Sequence, residues 1–188
     1  MKPLAEVVDA DTIRRRVAEL GAAITADYAG RDPVLLGVLN GAVPFLADLS
    51  RRLPPEFEID FLSLTRFGDE GRVAIAVDSA TPLTGRDVIV VEDIVDTGLT
   101  LSYLLGLLGT RNPASLATVT LVDKVTRRIV DVDLEYRGFE VGDEFLLGYG
   151  LDWEGRYRNL PSLWAVLDLA VFRGDPDILA RRVFSEAG

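Results

Sequence analysis

One short segment near the middle of the chain carries the residue types and spacing best suited to chemistry. Four consecutive β-branched residues, Val88 to Val91, predict a strand buried on both faces. Glu92 and Asp93 follow, and because a buried strand does not tolerate such carboxylates, we expect them at its carboxyl end, where α/β sheets bind ligands. The loop 96–100 then offers hydroxyls and backbone N–H groups at a helix N-terminus, which suits a phosphate. The segment therefore predicts a sugar phosphate held with a divalent cation; the alternative is a buried strand with a solvated acidic loop.

Composition restricts the chemistry further. The chain has 188 residues, no Cys and no His. Proton transfer and metal binding must fall to carboxylates, hydroxyls, Lys and backbone groups, which favours a hard cation such as Mg²⁺. A net charge of −10, with no basic run beyond Arg14–Arg16, argues against a nucleic-acid partner. We expect a cytoplasmic protein without a membrane partner, since no apolar run approaches the ~20 residues of a membrane span and the start lacks a secretory signal.

The elements that must position these residues follow from hydrophobic periodicity. Apolar residues from Ile13 to Tyr28 have helical spacing, with Asp11 or Thr12 as the cap, and Pro44 suits the first turn of a second helix. Strands alternate with helices, which indicates an α/β fold with a mainly parallel sheet covered by helices in one domain. The predicted strands are 34–39, 59–64, 73–77, 88–91, 116–122, 130–136 and 145–147. A last helix is predicted over 177–184.

The segment from Glu92 to Leu104 resembles the phosphoribosyl-pyrophosphate (PRPP) signature of type I phosphoribosyltransferases. Its residue sequence is most similar to that of the hypoxanthine-guanine branch. The resemblance implies a twisted, mainly parallel sheet with flanking helices and a small hood made by the chain termini. It also implies a single domain over residues 1–188, with a C-terminal extension from about residue 162, that forms a homodimer or homotetramer. The implied reaction is Mg²⁺-dependent purine salvage, which converts hypoxanthine or guanine plus PRPP into IMP or GMP and pyrophosphate.

The resemblance assigns the residues around the PRPP signature. Glu92 and Asp93 would hold the ribose hydroxyls, directly or through the metal. Asp96 would be the base that faces purine N7, and its alternative role is a helix N-cap. The 5′-phosphate would be wrapped mainly by the backbone N–H groups of Thr97, Gly98, Leu99 and Thr100.

The segment 37–41 matches the pyrophosphate loop of the family. There a non-proline cis peptide, here between Leu39 and Asn40, presents a backbone N–H to pyrophosphate, and Gly41 completes the loop. Plain turn chemistry is the alternative, since Asn-Gly is a common turn pair. Many relatives carry Lys at position 40, so a direct positive charge is missing here. Arg158, and as a further candidate Arg66, would contact pyrophosphate instead.

The base-binding residues are also assigned by resemblance. Lys124, one of only two lysines, would bond the purine 6-oxo group and select against adenine, whose amino group is a donor. Phe145 would stack on the purine, while backbone groups of Leu146 and Asp152 would read its N1/C2 edge and Asp152 would approach a second Mg²⁺. The alternatives are a surface lysine at a strand end and an aromatic residue of the core.

Two departures from the family keep other functions open. The loop that closes over the reacting centre reads Leu64 to Gly68 in place of Ser-Ser-Tyr-Gly, and it is several residues short. The chain also continues past Pro161 into a tail that would be a subunit contact or a lid. One alternative is therefore a catalytically weak PRPP- or nucleotide-sensing regulator on the same fold. Another is a transferase for a different base, such as xanthine or a pyrimidine.

Overall fold

The computed structural model describes residues 3–67 and 72–184, and the chain divides into two compact units. The terminal unit comprises the chain up to Ile13 together with Glu144 onward, and the central unit comprises Arg14–Asp143. None of the helices in the described ranges is both long and apolar enough to cross a membrane. The elements in chain order are β1 (Leu4–Val8), α1 (Ala10–Asp27), β2 (Val34–Leu39), α2 (Val43–Ser50), β3 (Glu58–Phe67), β4 (Arg72–Val77), β5 (Asp87–Val95), α3 (Leu99–Gly109), β6 (Ser115–Asp123), a 3₁₀ helix (Val125–Arg127), β7 (Tyr136–Glu140), β8 (Phe145–Leu147), β9 (Leu163–Val166), α4 (Leu169–Gly174) and α5 (Ile178–Phe184).

The central unit is built on a six-stranded sheet in the order β4-β3-β2-β5-β6-β7. All neighbouring strands in it are parallel except the edge pair β3 and β4, which is antiparallel. Strands β2 and β5 are buried along most of their length because helices cover parallel sheets on both faces. The mainly parallel α/β fold predicted from the sequence is thereby confirmed.

Close packing of helices on this sheet explains its apolar strands. Leu104 and Leu108 of α3 belong to one core cluster with Val34, Leu36 and Val90, and all five are fully buried. At β2, a Cβ on residue 37 would lie 2.6 Å from the Leu46 side chain of α2, so only glycine lets that side chain approach. These contacts hold the ends of β2 and β5 in place beside the helices that follow them.

The order of the strands creates a switch point between β2 and β5. The chain leaves β2 through α2 to β3 on one side, whereas it leaves β5 through α3 to β6 on the other side. Pairing between β2 and β5 stops at Gly37 and Val91, while β5 continues to pair with β6 as far as Val95. A crevice at the carboxyl ends of two diverging strands is where open α/β sheets bind ligands.

Two local predictions were wrong. The predicted strand from Val130 to Tyr136 is irregular up to residue 135, and β7 begins where that prediction ends. Val132 and Leu134 pack against the core cluster, so their alternating pattern reflects packing without a strand ladder. The cap of α1 is Asp9, whose carboxylate accepts a hydrogen bond from the Thr12 N–H at 2.8 Å, and neither Asp11 nor Thr12 takes that role.

The terminal unit contains a three-stranded antiparallel sheet in the order β1-β9-β8, drawn from both ends of the chain. Its core includes Leu4, Leu147 and Trp164. The tail beyond Pro161 contributes β9, the predicted helix α5 and also α4, which was not predicted. Phe172 of α4 and Leu179 of α5 are fully buried in the same core, so these two side chains of the tail pack within this unit.

Candidate active site

A cavity of about 500 Å³ opens in the central unit at the carboxyl end of β5. It is formed by the end of the strand, the loop that follows and the first turn of α3. The structure thus brings together most of the residues that the signature predicted, and adds residues without a predicted role. The lining residues are Glu92, Asp93, Ile94, Val95, Asp96, Thr97, Gly98, Leu99, Thr100, Leu101 and Arg127.

The acid pair lies inside the strand, and the expected boundary was wrong. Strand β5 runs through Glu92 and Asp93 to Val95, and Glu92 is only 7% exposed. The strand tolerates the carboxylate because β2 no longer pairs with β5 beyond Val91, which opens the sheet at that point. Burial, together with the negative charge of Asp93, raises the pKa of Glu92 well above its ordinary value. A cation placed at this carboxylate would relieve both effects.

The segment after β2 meets the acid pair directly. A Cβ on residue 41 would overlap the Asp93 carboxylate, so the absence of a side chain at Gly41 is what lets the two segments touch. The peptide bond between Leu39 and Asn40 is cis, as the resemblance implied. The predicted pyrophosphate loop and the predicted ribose-binding pair therefore lie at one place, the switch point of the sheet.

The phosphate loop is held by its own backbone and by the segment after β6. Gly98 is the N-cap of α3 with φ +82°, and the Thr97 hydroxyl oxygen accepts a hydrogen bond from the Leu99 N–H at 3.4 Å. The alternative that Asp96 is the N-cap is therefore wrong. The backbone carbonyl of Thr97 accepts hydrogen bonds from the N–H groups of Ile129 and Val130, at 2.9 and 3.1 Å. The loop thus presents the first turn of α3 to the cavity.

Asp96 has a partner that the sequence reasoning missed. The Arg127 Nε lies 2.5 Å from the Asp96 Oδ1, and both side chains are nearly half exposed. Arg127 ends the 3₁₀ helix after Lys124 and lines the cavity. Two adjacent arginines directly after a strand end were the available signal, but residue type alone does not reveal the pairing.

Lys124 occupies a buried position at the end of β6. It is 6% exposed, and its backbone N–H donates to the Val95 carbonyl at 2.9 Å. The alternative of a surface lysine is therefore wrong. The preceding Asp123 is fully buried and forms ion pairs with Arg128 and Arg137. These charges fix the backbone at the strand end from which the lysine projects.

The remaining candidates lie in the terminal unit. Phe145 is half-buried and packs edge-to-face on Trp153, with ring centroids 5.5 Å apart, whereas Leu146 is buried in β8. Asp152 and Arg158 form an ion pair at 2.7 Å, and Arg158 also donates to the Gly150 carbonyl at 2.5 Å. In this arrangement the positive charge of Arg158, predicted to contact pyrophosphate, pairs with the negative charge of Asp152, predicted to approach a metal ion.

Some predicted features fall outside what the structure describes. The Arg66 side chain and residues 68–71 of the shortened loop lie outside the described residues. Over the described ranges, no group of three or more acidic side chains is arranged to hold a metal ion by itself. A cation at Glu92 and Asp93 would therefore need further ligands from water, backbone oxygens or a bound molecule.

Comparison with known proteins gives a consistent result. The model of the phosphoribosyl transferase domain family matches residues 4–154. The hypoxanthine-guanine phosphoribosyltransferase of Bacillus subtilis is 43% identical over 170 residues, which is 88% of this chain and 94% of that protein. The corresponding enzyme of Streptococcus agalactiae is 45% identical over 150 residues, covering 78% and 83% of the two chains.

Solved structures agree with these relatives. A crystal structure of a hypoxanthine-guanine phosphoribosyltransferase from Bacillus anthracis has a TM-score of 0.83 at 39% identity, covering 86% of this chain and 98% of that one. A hypoxanthine phosphoribosyltransferase from Staphylococcus aureus has a TM-score of 0.84 at 37% identity, covering 89% and 93%. Signature, switch-point site, family model and relatives together show that this chain belongs to the hypoxanthine-guanine phosphoribosyltransferase family.

Proposed function

We propose that this chain is a purine salvage enzyme that transfers the phosphoribosyl group of PRPP to hypoxanthine or guanine and releases pyrophosphate. The observation that carries the proposal is the meeting of Asp93 with Gly41 at the switch point of the sheet. This contact supports the proposal because Glu92 and Asp93, the proposed ribose-binding pair, then lie beside the proposed pyrophosphate loop 39–41, and the proposed phosphate loop follows within the same strand-to-helix connection. The three parts of PRPP that must be held in line each have a candidate binding segment there.

The donor-binding roles follow the order of these segments. Glu92 and Asp93 hold the ribose hydroxyls, and backbone N–H groups of Thr97 to Thr100 hold the 5′-phosphate at the start of α3. Leu39, Asn40 and Gly41 face pyrophosphate, with Arg158 and Arg66 as further candidates. Positive charge that develops on the ribose during the transfer is favoured by the neighbouring carboxylates.

The acid pair fits a magnesium ion shared with the substrate. Mg²⁺ is commonly bound by one or two carboxylates plus substrate phosphates, and a buried Glu92 whose charged form is disfavoured suits such a cation. When bound, Mg²⁺ would neutralise charge on the leaving pyrophosphate. Glu92 and Asp93 are the proposed ligands, with Asp152 for a second ion.

We assign proton handling to Asp96, as the resemblance to the family implies. Its carboxylate lines the cavity and is exposed enough to meet a base. We assign it to purine N7, where it would take up the proton as the new bond forms at C1 of the ribose.

We assign base choice to Lys124, Phe145, Leu146 and Asp152. Lys124 bonds the 6-oxo group as a donor, Phe145 stacks on the ring, and backbone groups of Leu146 and Asp152 read its N1/C2 edge. The edge-to-face contact of Phe145 with Trp153 supports this role, because it fixes the ring orientation before any base arrives. The preferred substrate is therefore a 6-oxopurine.

Three broader proposals concern the protein as a whole. We propose that residues 1–188 act as one phosphoribosyltransferase domain, with the tail from about residue 162 as an extension, in the cytoplasm. We propose a homodimer or homotetramer, supported by exposed apolar side chains on α3, Leu99 and Tyr103, and on the tail, Val171 and Phe184.

A turnover screen tests the function. Hypoxanthine, guanine, xanthine and adenine are each supplied with PRPP and Mg²⁺, and nucleotide formation is followed by absorbance. We expect turnover with hypoxanthine or guanine and none with adenine. Tight PRPP binding without turnover on any base would instead support the sensing regulator, and a preference for xanthine would identify the other alternative.

Substitution of Lys124 tests the base assignment. Because Lys124 donates to the 6-oxo group, Lys124→Ala should raise the KM for the base by roughly 10-fold or more while the KM for PRPP changes little. Steady-state kinetics with each substrate varied in turn measures both values. An effect confined to PRPP affinity would mean that Lys124 does not contact the base.

A further inference from the structure

More negatively than positively charged side chains line the cavity at the end of β5. Three carboxylates line it, those of Glu92, Asp93 and Asp96, whereas Arg127 is the one basic side chain among the lining residues that the structure describes. PRPP adds further negative charge, and its 5′-phosphate would enter a loop beside Asp96. The backbone N–H groups and hydroxyls of the loop must then overcome repulsion from a neighbouring carboxylate, and a cation that changes partner would relieve that repulsion.

Arg127 lies where its guanidinium could pair either with Asp96 or with a phosphate in the loop. The carbonyl of Thr97, inside the phosphate loop, accepts hydrogen bonds from Ile129 and Val130, so the segment just after Arg127 is fastened to the loop. The guanidinium therefore stays near the loop whichever group it pairs with. Its present partner is Asp96, at 2.5 Å, in a pair whose side chains are 46% and 43% exposed. Exposed pairs of this kind contribute little stability and exchange easily.

We propose that Arg127 is a specificity-determining residue that binds the 5′-phosphate of the donor. It pairs with Asp96 in the structure, and when PRPP enters it moves to the phosphate, where a guanidinium makes strong, charge-assisted hydrogen bonds. The exchange leaves the Asp96 carboxylate available for the purine only after the donor is bound. This inference rests on the proposed function, because the phosphate loop is assigned through it.

Titration calorimetry with ribose 5-phosphate and, separately, pyrophosphate tests the proposal, with Mg²⁺ present throughout. Arg127→Ala should weaken ribose 5-phosphate binding by roughly tenfold or more and leave pyrophosphate binding within about twofold. Arg127→Lys, which keeps the charge but loses the planar fork, should lose less. Arg51→Ala is the matched control, because Arg51 is an exposed arginine that pairs with Asp48 on α2, and it should leave both affinities unchanged.

A double-mutant cycle tests the exchange of partners. Asp96→Asn should tighten ribose 5-phosphate binding by about two- to threefold, since Arg127 no longer has to leave a carboxylate. In the Arg127→Ala background the same change should tighten binding less, because only the repulsion between the carboxylate and the phosphate is then removed. A purely structural role for Arg127 would not produce this coupling.

Each result has a defined meaning. Equal ribose 5-phosphate affinity in wild type and Arg127→Ala, an equal loss of both ligands, or failure of the wild type to bind ribose 5-phosphate would overturn the proposal. Circular dichroism checks folding, and if Arg127→Ala does not fold, Arg127→Lys and Arg127→Gln carry the comparison. Turnover with oxopurines is measured apart from these titrations, so its absence would count against the proposed function alone.

Discussion

Asp96 is the side chain proposed as the catalytic base, and its surroundings bear on that role. It lines the cavity, does not cap α3 and pairs with Arg127. A carboxylate that merely stabilised a helix end would lie at the N-cap, but here Gly98 holds that position. The geometry therefore favours a role toward the substrate over a role in the fold.

Replacing this carboxylate by an amide tests that role. Asp96→Asn keeps the size of the side chain but removes its ability to accept a proton, so turnover should fall by roughly 10²-fold or more. PRPP binding should stay within about threefold of wild type. Single-turnover kinetics and calorimetry measure the two quantities, and unchanged turnover would remove Asp96 from the mechanism.

Single residues differ in how far the sequence predicts them. Glu92, Asp93 and the loop 96–100 were predicted because they adjoin one another along the chain, and all of them line one cavity. Arg127 could not be predicted in this way, because its partner lies 31 residues away and their pairing depends on the neighbouring strands β5 and β6. The ligand contacts proposed for these residues stay predictions.

At the scale of elements, the absence of a side chain at Gly41 lets the loop after β2 contact strand β5. Gly41, after β2, and Asp93, on β5, come so close that a Cβ on residue 41 would overlap the carboxylate. The same contact places the acid pair beside the loop that is predicted to bind pyrophosphate. A methyl group is therefore enough to disturb the site while the strands themselves remain.

Gly41→Ala should displace the Asp93 carboxylate and weaken PRPP binding by roughly tenfold or more, because the carboxylate accounts for at least one charge-assisted contact. Gly106→Ala is the control, since nothing lies within 4 Å of a Cβ at that position on α3. The control should stabilise the fold by about 0.5–1 kcal/mol and leave PRPP affinity unchanged. Calorimetry and thermal unfolding measure both variants, and equal PRPP affinity in the two would refute the role of Gly41.

Elements were predicted best where burial and pattern agree. The strand 34–39 and the strand 145–147 have the predicted bounds, because their flanking residues end the apolar run. The predicted strand 130–136 failed because its alternation comes from Val132 and Leu134 packing on the core cluster. Periodicity reports which side chains are buried, and it does not report where the backbone hydrogen bonds go.

At the scale of the whole molecule, loop ion pairs couple stability to pH. Asp78, just after β4, accepts two hydrogen bonds from Arg111, just after α3, at 2.8 and 2.9 Å. Hydrogen bonds from Arg111 hold the pKa of Asp78 below its usual value. The folded state therefore binds this proton less readily than the unfolded state, so the contribution is present above the unfolded pKa of about 3.9 and is lost as pH falls through the lower folded value.

Asp78→Asn should accordingly reduce the free energy of unfolding at pH 7, by at most about 1 kcal/mol because the pair is partly exposed. The difference from wild type should shrink as the pH falls below about 4. Urea unfolding from pH 7 to about pH 2 measures the difference through the window below the unfolded pKa. Asp133→Asn, the same change at an exposed position of the central unit, should stay within about 0.5 kcal/mol at every pH. A pH-independent difference for Asp78→Asn would contradict the assignment.

The sequence by itself determined the family, the α/β class, the order of most elements and the segments that bear chemistry. It could do so because hydrophobic pattern and signature residues are local properties of the chain. Only the tertiary structure decided that Asp93 rests against Gly41, that Lys124 is buried, and that Arg127 pairs with Asp96. Each of these depends on which strands become neighbours and where their pairing stops, and that is set by packing between residues far apart in the chain.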